Sequence, residues 1–280
     1  MQFEFTKWQG AGNDFVIVNG FKNTIADYEE AAIAVCDRHF GIGADGLVLI
    51  LPSDVADFKM RIFNSDGSEA EMCGNVTRCV AKYVYEEKMT DKTKLTIETK
   101  AGLIKPEIIL TATGDVHFVK VNMGKPILCG ETIPVTGFGQ EKVIAQPLEI
   151  GNCSYTITCV SMGNPHCVIF VDDINLIDLE KVGPLIEKHN IFPKKINVEF
   201  AQINNRNEIR MRVWERGAGI TLACGTGSSA TLVAAVLNNK TDRAANLLLD
   251  GGNLYVEWGD DDCIYMSGPA KKVFTGVYTR

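Results

Sequence analysis

A single offset of 151 residues lays widely separated parts of this chain on one another. Under it Cys73 falls on Cys224 and Gly74 on Gly225. Gly12 and Asn13 of QGAGNDFVIV fall on Gly163 and Asn164 of SMGNPHCVIF, and Gly46 of ADGLVLI falls on Asn197 of INVEFAQ. Arg61, Ile62 and Phe63 fall on Arg212, Val213 and Trp214. The asparagine-to-cysteine spacing is therefore 60 residues in both halves. The identities are few, but one offset shared by three separated blocks is the mark of a duplicated unit. Two homologous halves, packed as two similar domains, are expected. Residues 1–124 carry Cys73 and residues 125–267 carry Cys224, with the turn-rich NMGKPILCGETIPV at the crossover. The tail 268–280 ends in VFTGVYTR, has strand character, and is expected to return to the first domain.

The fold class expected is α+β. Apolar and β-branched runs recur as FVIVNG, LVLILP, KLTIETK, EIIL, VHFVKV, YTITCV, CVIFV, NVEFAQI, EIRMRVW and NLYVEW. Helical patterns are fewer: YEEAAIAVCDRH, the segment after Cys73, and the segment after Cys224. In the last of these, SSATLVAAVL is apolar nearly all round, as in a helix enclosed by a sheet or barrel. A chain of 280 residues, 46% of them hydrophobic, can build two such cores. A net charge of −7 argues against a nucleic-acid partner, which calls for a basic patch. The chain has no 18-residue apolar run, and its start, MQFEFTKWQG, lacks a charged-then-apolar leader. A cytoplasmic protein with no membrane partner is expected.

Nine cysteines contain no Cys-x-x-Cys pair, so a zinc site is not expected. Cys153, Cys159 and Cys167 lie in the apolar run CSYTITCVSMGNPHCVIFV and read as buried small hydrophobes. Cys73 and Cys224 differ, because each precedes a glycine and then a helix. A helix start offers unpaired N–H groups and the positive end of a dipole. Both lower a neighbouring thiol's pKa from about 8.5 toward neutrality. The glycine lets a ligand approach the backbone, so each corner suits a thiolate and a carboxylate together. Two such corners could take a proton from one face of a carbon and return one to the other.

Spacing alone leaves other readings open: structural turns, a thiol-redox pair, or a phosphate binder. GIGADG at 41–46 matches G-x-G-x-x-G. It follows a helical pattern and precedes a strand, the reverse of the order that a dinucleotide site requires. Asn13, Asn64, Asn164 and Asn197 stand at glycine-flanked or strand-end positions suited to ligand contacts or to plain turns. Glu215 and Arg216 could hold an ammonium and a carboxylate. His166 could tune a thiol.

The blocks GAGNDFVIV, GIGADGLVLI, RIFNSDGSEAEMCGN, SMGNPHCV, NVEFAQI, VWERGAGITLACGTG and SGPAKKVFTG, which span nearly the whole chain, resemble the diaminopimelate epimerase family. The resemblance implies two pseudo-symmetric domains, each a curled sheet around a central helix. It implies interconversion of L,L- and meso-2,6-diaminopimelate without cofactor or metal, in lysine and peptidoglycan-precursor synthesis, and a homodimer. It makes Cys73 and Cys224 the catalytic pair, with His166 and Glu215 in support. Asn13, Asn64, Gly74, Asn75, Asn164, Asn197, Glu215, Arg216, Gly225 and Thr226 become the substrate contacts. Three positions depart from the family's habit: Gly46 replaces a glutamine found in some members, Val76 a common glycine, and Ile220 a usual acid. Related two-cysteine enzymes act on proline, hydroxyproline or histidine, and a silent binding protein on this scaffold is the other alternative. Glu215–Arg216 with Asn64 and Asn197 favours a substrate with a second amino-acid head.

Overall fold

The strands β2 (Asn13–Asn19) and β3 (Gly46–Leu51) explain the first half of the fold. Successive strand residues point to opposite faces. Val16, Val18, Leu47 and Leu49 pack with Ala31, Ala32 and Val35 of helix α1 (Tyr28–Cys36). Ile17, Val48 and Ile50 point the other way and are equally buried. On that side helix α2 (Gly74–Glu86) packs against β2 and against β1 (Gln2–Gly10). A sheet covered on both faces reads as an unbroken apolar run, which is why FVIVNG and LVLILP show no polar alternation. β2 and β3 are parallel, and α1 is their crossover.

The computed structural model describes all 280 residues, Met1–Arg280. It divides into two α+β units, Met1–Asn122 with Ser267–Arg280, and Met123–Met266. In the first, β4 (Phe58–Asn64) runs antiparallel to β3 and is followed by β5 (Glu69–Ala70), β6 (Ile97–Thr99) and β7 (Gly102–Ile104). A hairpin of β8 (Glu107–Leu110) and β9 (Val116–Gly124) completes the first pass of the chain.

The second unit holds β10 (Gln146–Ile150), β11 (Cys153–Ser161), β12 (Pro165–Phe170), helix α3 (Leu179–Glu187), β13 (Asn197–Asn205), β14 (Glu208–Glu215) and β15 (Gly219–Thr221). Helix α4 (Gly225–Leu237), β16 (Ala244–Leu249), β17 (Gly252–Trp258) and β18 (Ile264–Gly268) follow. The tail forms β19 (Lys271–Thr279), antiparallel to β1 in the first unit. α4 is buried from Gly227 to Ala235 and packs against β11, β12, β13, β16 and β17. α3 covers the other face, where Cys167, Ile169, Val198 and Phe200 join Leu179, Val182 and Ile186.

The duplication holds at the level of register. Phe15 pairs with Gly46, and His166, 151 residues later, pairs with Asn197. Leu47 pairs with Phe63 as Val198 pairs with Trp214, and Ile62 with Ala70 as Val213 with Thr221. Two readings need correction. Cys153 is exposed, because it opens β11 directly after the Gly151–Asn152 turn; only Cys159 and Cys167 of that run are buried. Helix α3 has no counterpart among the helical patterns read above, since Gly183 and Pro184 interrupt it.

Gly183 shows how tightly α3 is seated. A Cβ there would lie 2.7 Å from two atoms of the Trp214 indole. Gly183→Ala gains roughly 1 kcal/mol of helix propensity but costs about 1–3 kcal/mol in overpacking. The expected result is a lower midpoint in denaturant unfolding followed by Trp fluorescence. An unchanged or raised midpoint would contradict this packing.

Candidate active site

In the first unit the β1–β2 turn carries Ala11 at φ 54° and Gly12 at φ 89°, which delivers Asn13 to the start of β2. The left-handed turn is cheap only for glycine at its second position. The Asn13 carboxamide accepts from the Asn75 side chain and donates to Asp45 at 3.2 Å. Asn75 is the second residue of α2, whose N-cap is Cys73 in extended backbone (φ −146°, ψ 120°). Arg78, one turn further on, is wholly buried and donates to the Asn75 carboxamide at 2.8 Å. Gly46 and Asn64 are directly paired at the same end of β3 and β4. Asn64 is exposed and its amide donates to Ser68 at 2.9 Å, so its side chain is not bonded to the Asn13–Asn75 pair. At Gly46 a Cβ would meet the Phe63 carbonyl oxygen at 2.9 Å, so a glutamine there requires this strand pair to shift.

The second unit repeats the device with different chemistry. Gly163, at φ 96°, delivers Asn164, which donates to the Thr226 hydroxyl at 3.2 Å. Thr226 is the second residue of α4, as Asn75 is of α2, and both bonds span 62 residues. The N-cap is Cys224 (φ −131°, ψ 114°), whose sulfur accepts from the Gly227 N–H at 3.4 Å and lies 3.5 Å from the Thr226 hydroxyl. His166 joins this network through Nε2, 3.1 Å from the Asn164 carbonyl oxygen, and through Nδ1, 2.6 Å from the Glu199 carboxylate. Neither His166 nor Glu199 has any exposed surface. Asn197 donates to the Pro165 carbonyl at 2.8 Å and accepts from the Arg216 N–H at 2.9 Å. Glu215 accepts from the Thr221 hydroxyl. The exposed Arg216 guanidinium donates to the Lys194 carbonyl at 3.0 Å.

Glu199 and Arg78 escaped the reading of the sequence, and they make the two helix starts unlike. Where the first unit has Phe15, Val48 and Val76, the second has His166, Glu199 and Gly227 at the same offset of 151. The glycine is required, because a Cβ at 227 would meet the Glu199 carboxylate at 2.7 Å. Val76, at the position equivalent to Gly227, is fully buried. Ser229 stands where the first unit has Arg78. Burial pushes the Glu199 carboxyl above its ordinary range, against the pull of His166. Burial likewise raises the Cys224 thiol well above its usual value; the charges of Glu215 and Glu199 add to this, and the Thr226 and Gly227 bonds only partly oppose it. The simple expectation that a helix start lowers a thiol's pKa is thus reversed at Cys224, where desolvation and two nearby acids outweigh one N–H bond.

The chain matches the family model described as "Diaminopimelate epimerase" over residues 5–129 and 158–273. The diaminopimelate epimerase of Pelotomaculum thermopropionicum is 53% identical over 276 residues, 98% of each chain. That of Acetivibrio thermocellus is 54% identical over 273 residues, 97% of each. Among solved structures, a phenazine biosynthesis protein of the PhzF family from Bacillus anthracis aligns over 100% of both chains with a TM-score of 0.70 and 18% identity. A probable proline racemase from Agrobacterium radiobacter aligns over 98% of this chain and 92% of its own, with a TM-score of 0.69 and 15% identity. These two share the fold. From the full-length match and the doubled cysteine corner, the chain belongs to the diaminopimelate epimerase family.

Proposed function

We propose that the chain interconverts L,L- and meso-2,6-diaminopimelate, with Cys73 and Cys224 as its two acid–base groups. The observation that carries the assignment of the pair is their equivalence: each is the N-cap of a buried helix whose second residue is bonded to the asparagine of the paired turn. One sulfur takes the α-proton as thiolate, and the other delivers a proton to the opposite face as thiol. The exchange restores neither sulfur to its starting state, so the reverse reaction uses the same groups with roles exchanged.

The carboxylate on the reacting carbon is held by the first N–H groups of the two helices, at Gly74, Asn75, Gly225 and Thr226. Helix starts suit this task through unpaired N–H groups and dipole together. Asn13 and Asn164 contact substrate from the turns that pin those helices. Asn64, Asn197, Glu215 and Arg216 bind the distal amino-acid head, which separates diaminopimelate from a proline-type substrate. His166 supports Cys224 through Asn164 and Thr226. The same reading places the chain in the cytoplasm as a homodimer in lysine synthesis, with no cofactor or metal. No helix is long and apolar enough to cross a membrane.

An assay coupled to a meso-specific dehydrogenase tests the reading. The unmodified chain turns over L,L-diaminopimelate, and Cys73→Ala and Cys224→Ala each lose about 10³-fold or more in kcat, within the range for a lost acid–base group. Retained activity in either variant would overturn the assignment. Arg216→Ala raises KM for diaminopimelate tenfold to a hundredfold, about 1.5–3 kcal/mol for a lost charge-assisted bond. An unchanged kcat/KM would remove Arg216 from the distal site.

Glu199 supplies a test by pH. Its folded pKa is raised, so between the unfolded value near 4.3 and the folded one the native chain binds the extra proton. Stability from this group is present below that window and lost as pH rises through it. Glu199→Gln removes the loss. Its stability relative to the unmodified chain therefore grows as pH rises above the unfolded value of about 4.3, read from urea midpoints at each pH. Parallel pH profiles would contradict a strained buried carboxyl.

A further inference from the structure

The two helix starts stand among unlike ionisable groups: a buried guanidinium, Arg78, at the first, and the carboxyls of Glu199 and Glu215 at the second. Arg78 lies in the first turns of α2 and is wholly buried. Its guanidinium curls back toward the helix start: Nη2 donates to the Asn75 carboxamide at 2.8 Å, Nη1 lies 3.5 Å from the Gly74 carbonyl oxygen, and Nε lies 3.4 Å from that of Pro269. The β1–β2 turn packs over it, since a Cβ on Gly10 would stand 3.5 Å from Nη2. A guanidinium stays charged in a protein even when buried. Burial lowers its proton affinity, while the neighbouring thiols Cys79 and Cys73 act in the other direction.

Other ionisable groups lie near this corner, among them the exposed Glu71, two residues before Cys73, and Lys82, whose charge acts on Cys79. Cys79 is buried beneath the helix, which holds its thiol up at about 12, so it stays neutral. Asp14 and Asp45, at the starts of β2 and β3, have their own cations: Arg38 reaches them at 2.7 and 2.8 Å, and Lys7 reaches Asp14 at 2.7 Å. At the other corner the position of Arg78 is taken by Ser229, and the charges acting on Cys224 are those of Glu215 and Glu199, the latter bonded to His166.

We propose that Arg78 is a positioning residue that holds Cys73 as the thiolate, so that the resting enzyme carries its single exchangeable catalytic proton on Cys224. The inference rests on the epimerase reading for its use, and on this chain's own charges for its content. In the first half-reaction the Cys73 thiolate accepts the α-proton and becomes a thiol. The carbanion then takes the proton of the Cys224 thiol, which becomes a thiolate. After turnover in that direction the charges are in the disfavoured arrangement, with a thiolate beside Glu199 and Glu215 and a thiol beside Arg78. Exchange with water resets them. The enzyme is thus loaded for one isomer, although its two halves descend from one sequence.

The test is the pH dependence of alkylation by iodoacetamide, with each cysteine quantified separately by peptide mass spectrometry. The midpoint is read, not the rate, because midpoint reports thiolate formation independently of access. In the unmodified chain Cys73 should titrate at or below about pH 7, under the ordinary thiol value near 8.5, and Cys224 should titrate later. Arg78→Met should raise the Cys73 midpoint by about one pH unit or more, a tenfold loss of thiolate at neutral pH, and leave the Cys224 midpoint unmoved. Arg78→Lys, which keeps the charge, should restore most of the shift. Circular dichroism checks that the variants fold. If Arg78→Met does not, the order of midpoints in the unmodified chain and in Arg78→Lys decides. Cys224 titrating first, equal midpoints, or a folded Arg78→Met with an unmoved Cys73 midpoint would each overturn the proposal. These labelling data do not depend on turnover. An unmodified chain that shows the low Cys73 midpoint but no epimerisation of L,L-diaminopimelate would contradict the proposed function and leave the charge assignment standing.

Discussion

A helix buried along its length still has to place the N–H groups of its first turn. In this chain that constraint is met twice in one way. A tight turn with a left-handed glycine delivers an asparagine, and the asparagine is bonded to the second residue of the helix, Asn75 in one unit and Thr226 in the other. The cap itself is a cysteine, so the pinned helix start and the sulfur are one structural object. The 60-residue spacing from turn asparagine to cysteine, equal in both halves, is the length of chain needed to build the strands between them and return to the same sheet end.

Equivalent frames do not hold equivalent chemistry. The strand register is the same in the two units from β2 to β5 and from β12 to β15. Within it an apolar trio of Phe15, Val48 and Val76 is exchanged for His166, Glu199 and Gly227, and a buried cation for a serine. Burying the Glu199 carboxyl is costly in itself. The 2.6 Å bond to His166 compensates one oxygen, whereas Oε2 has no partner. The same burial raises both this carboxyl and the neighbouring Cys224 thiol.

The frame was legible in the sequence, and its charges were not. Burial on both faces leaves plain apolar runs, so β2, β3 and β12 could be read directly. The cysteine corners were found by the repeat, because chance does not hold one offset across separate blocks. The tail's return was readable from its strand character and is realised as β19 beside β1. Glu199 stayed hidden because it occupies one position of NVEFAQI and strand identity does not say which face it meets; the register against His166 and the approach of Gly227 decide that. Arg78 reads as the polar side of an amphipathic helix and proves to be buried. Helix α3 was masked by Gly183 and Pro184, where packing against Trp214 overrides propensity.

The central claim is that two monoprotic thiols, one from each half of the repeat, act on opposite faces of one carbon. A thiol gives up only the proton it holds, so the proton taken by one sulfur cannot be the one delivered by the other. The direct measurement is epimerisation of L,L-diaminopimelate in D2O, stopped at a few per cent conversion, with both pools analysed by NMR or mass spectrometry. The account predicts deuterium at the inverted carbon of the first product, because the acid thiol has exchanged with solvent before turnover, and largely protiated recovered substrate. Substantial protium at the inverted carbon of that product would mean that one group serves both faces, and would contradict it.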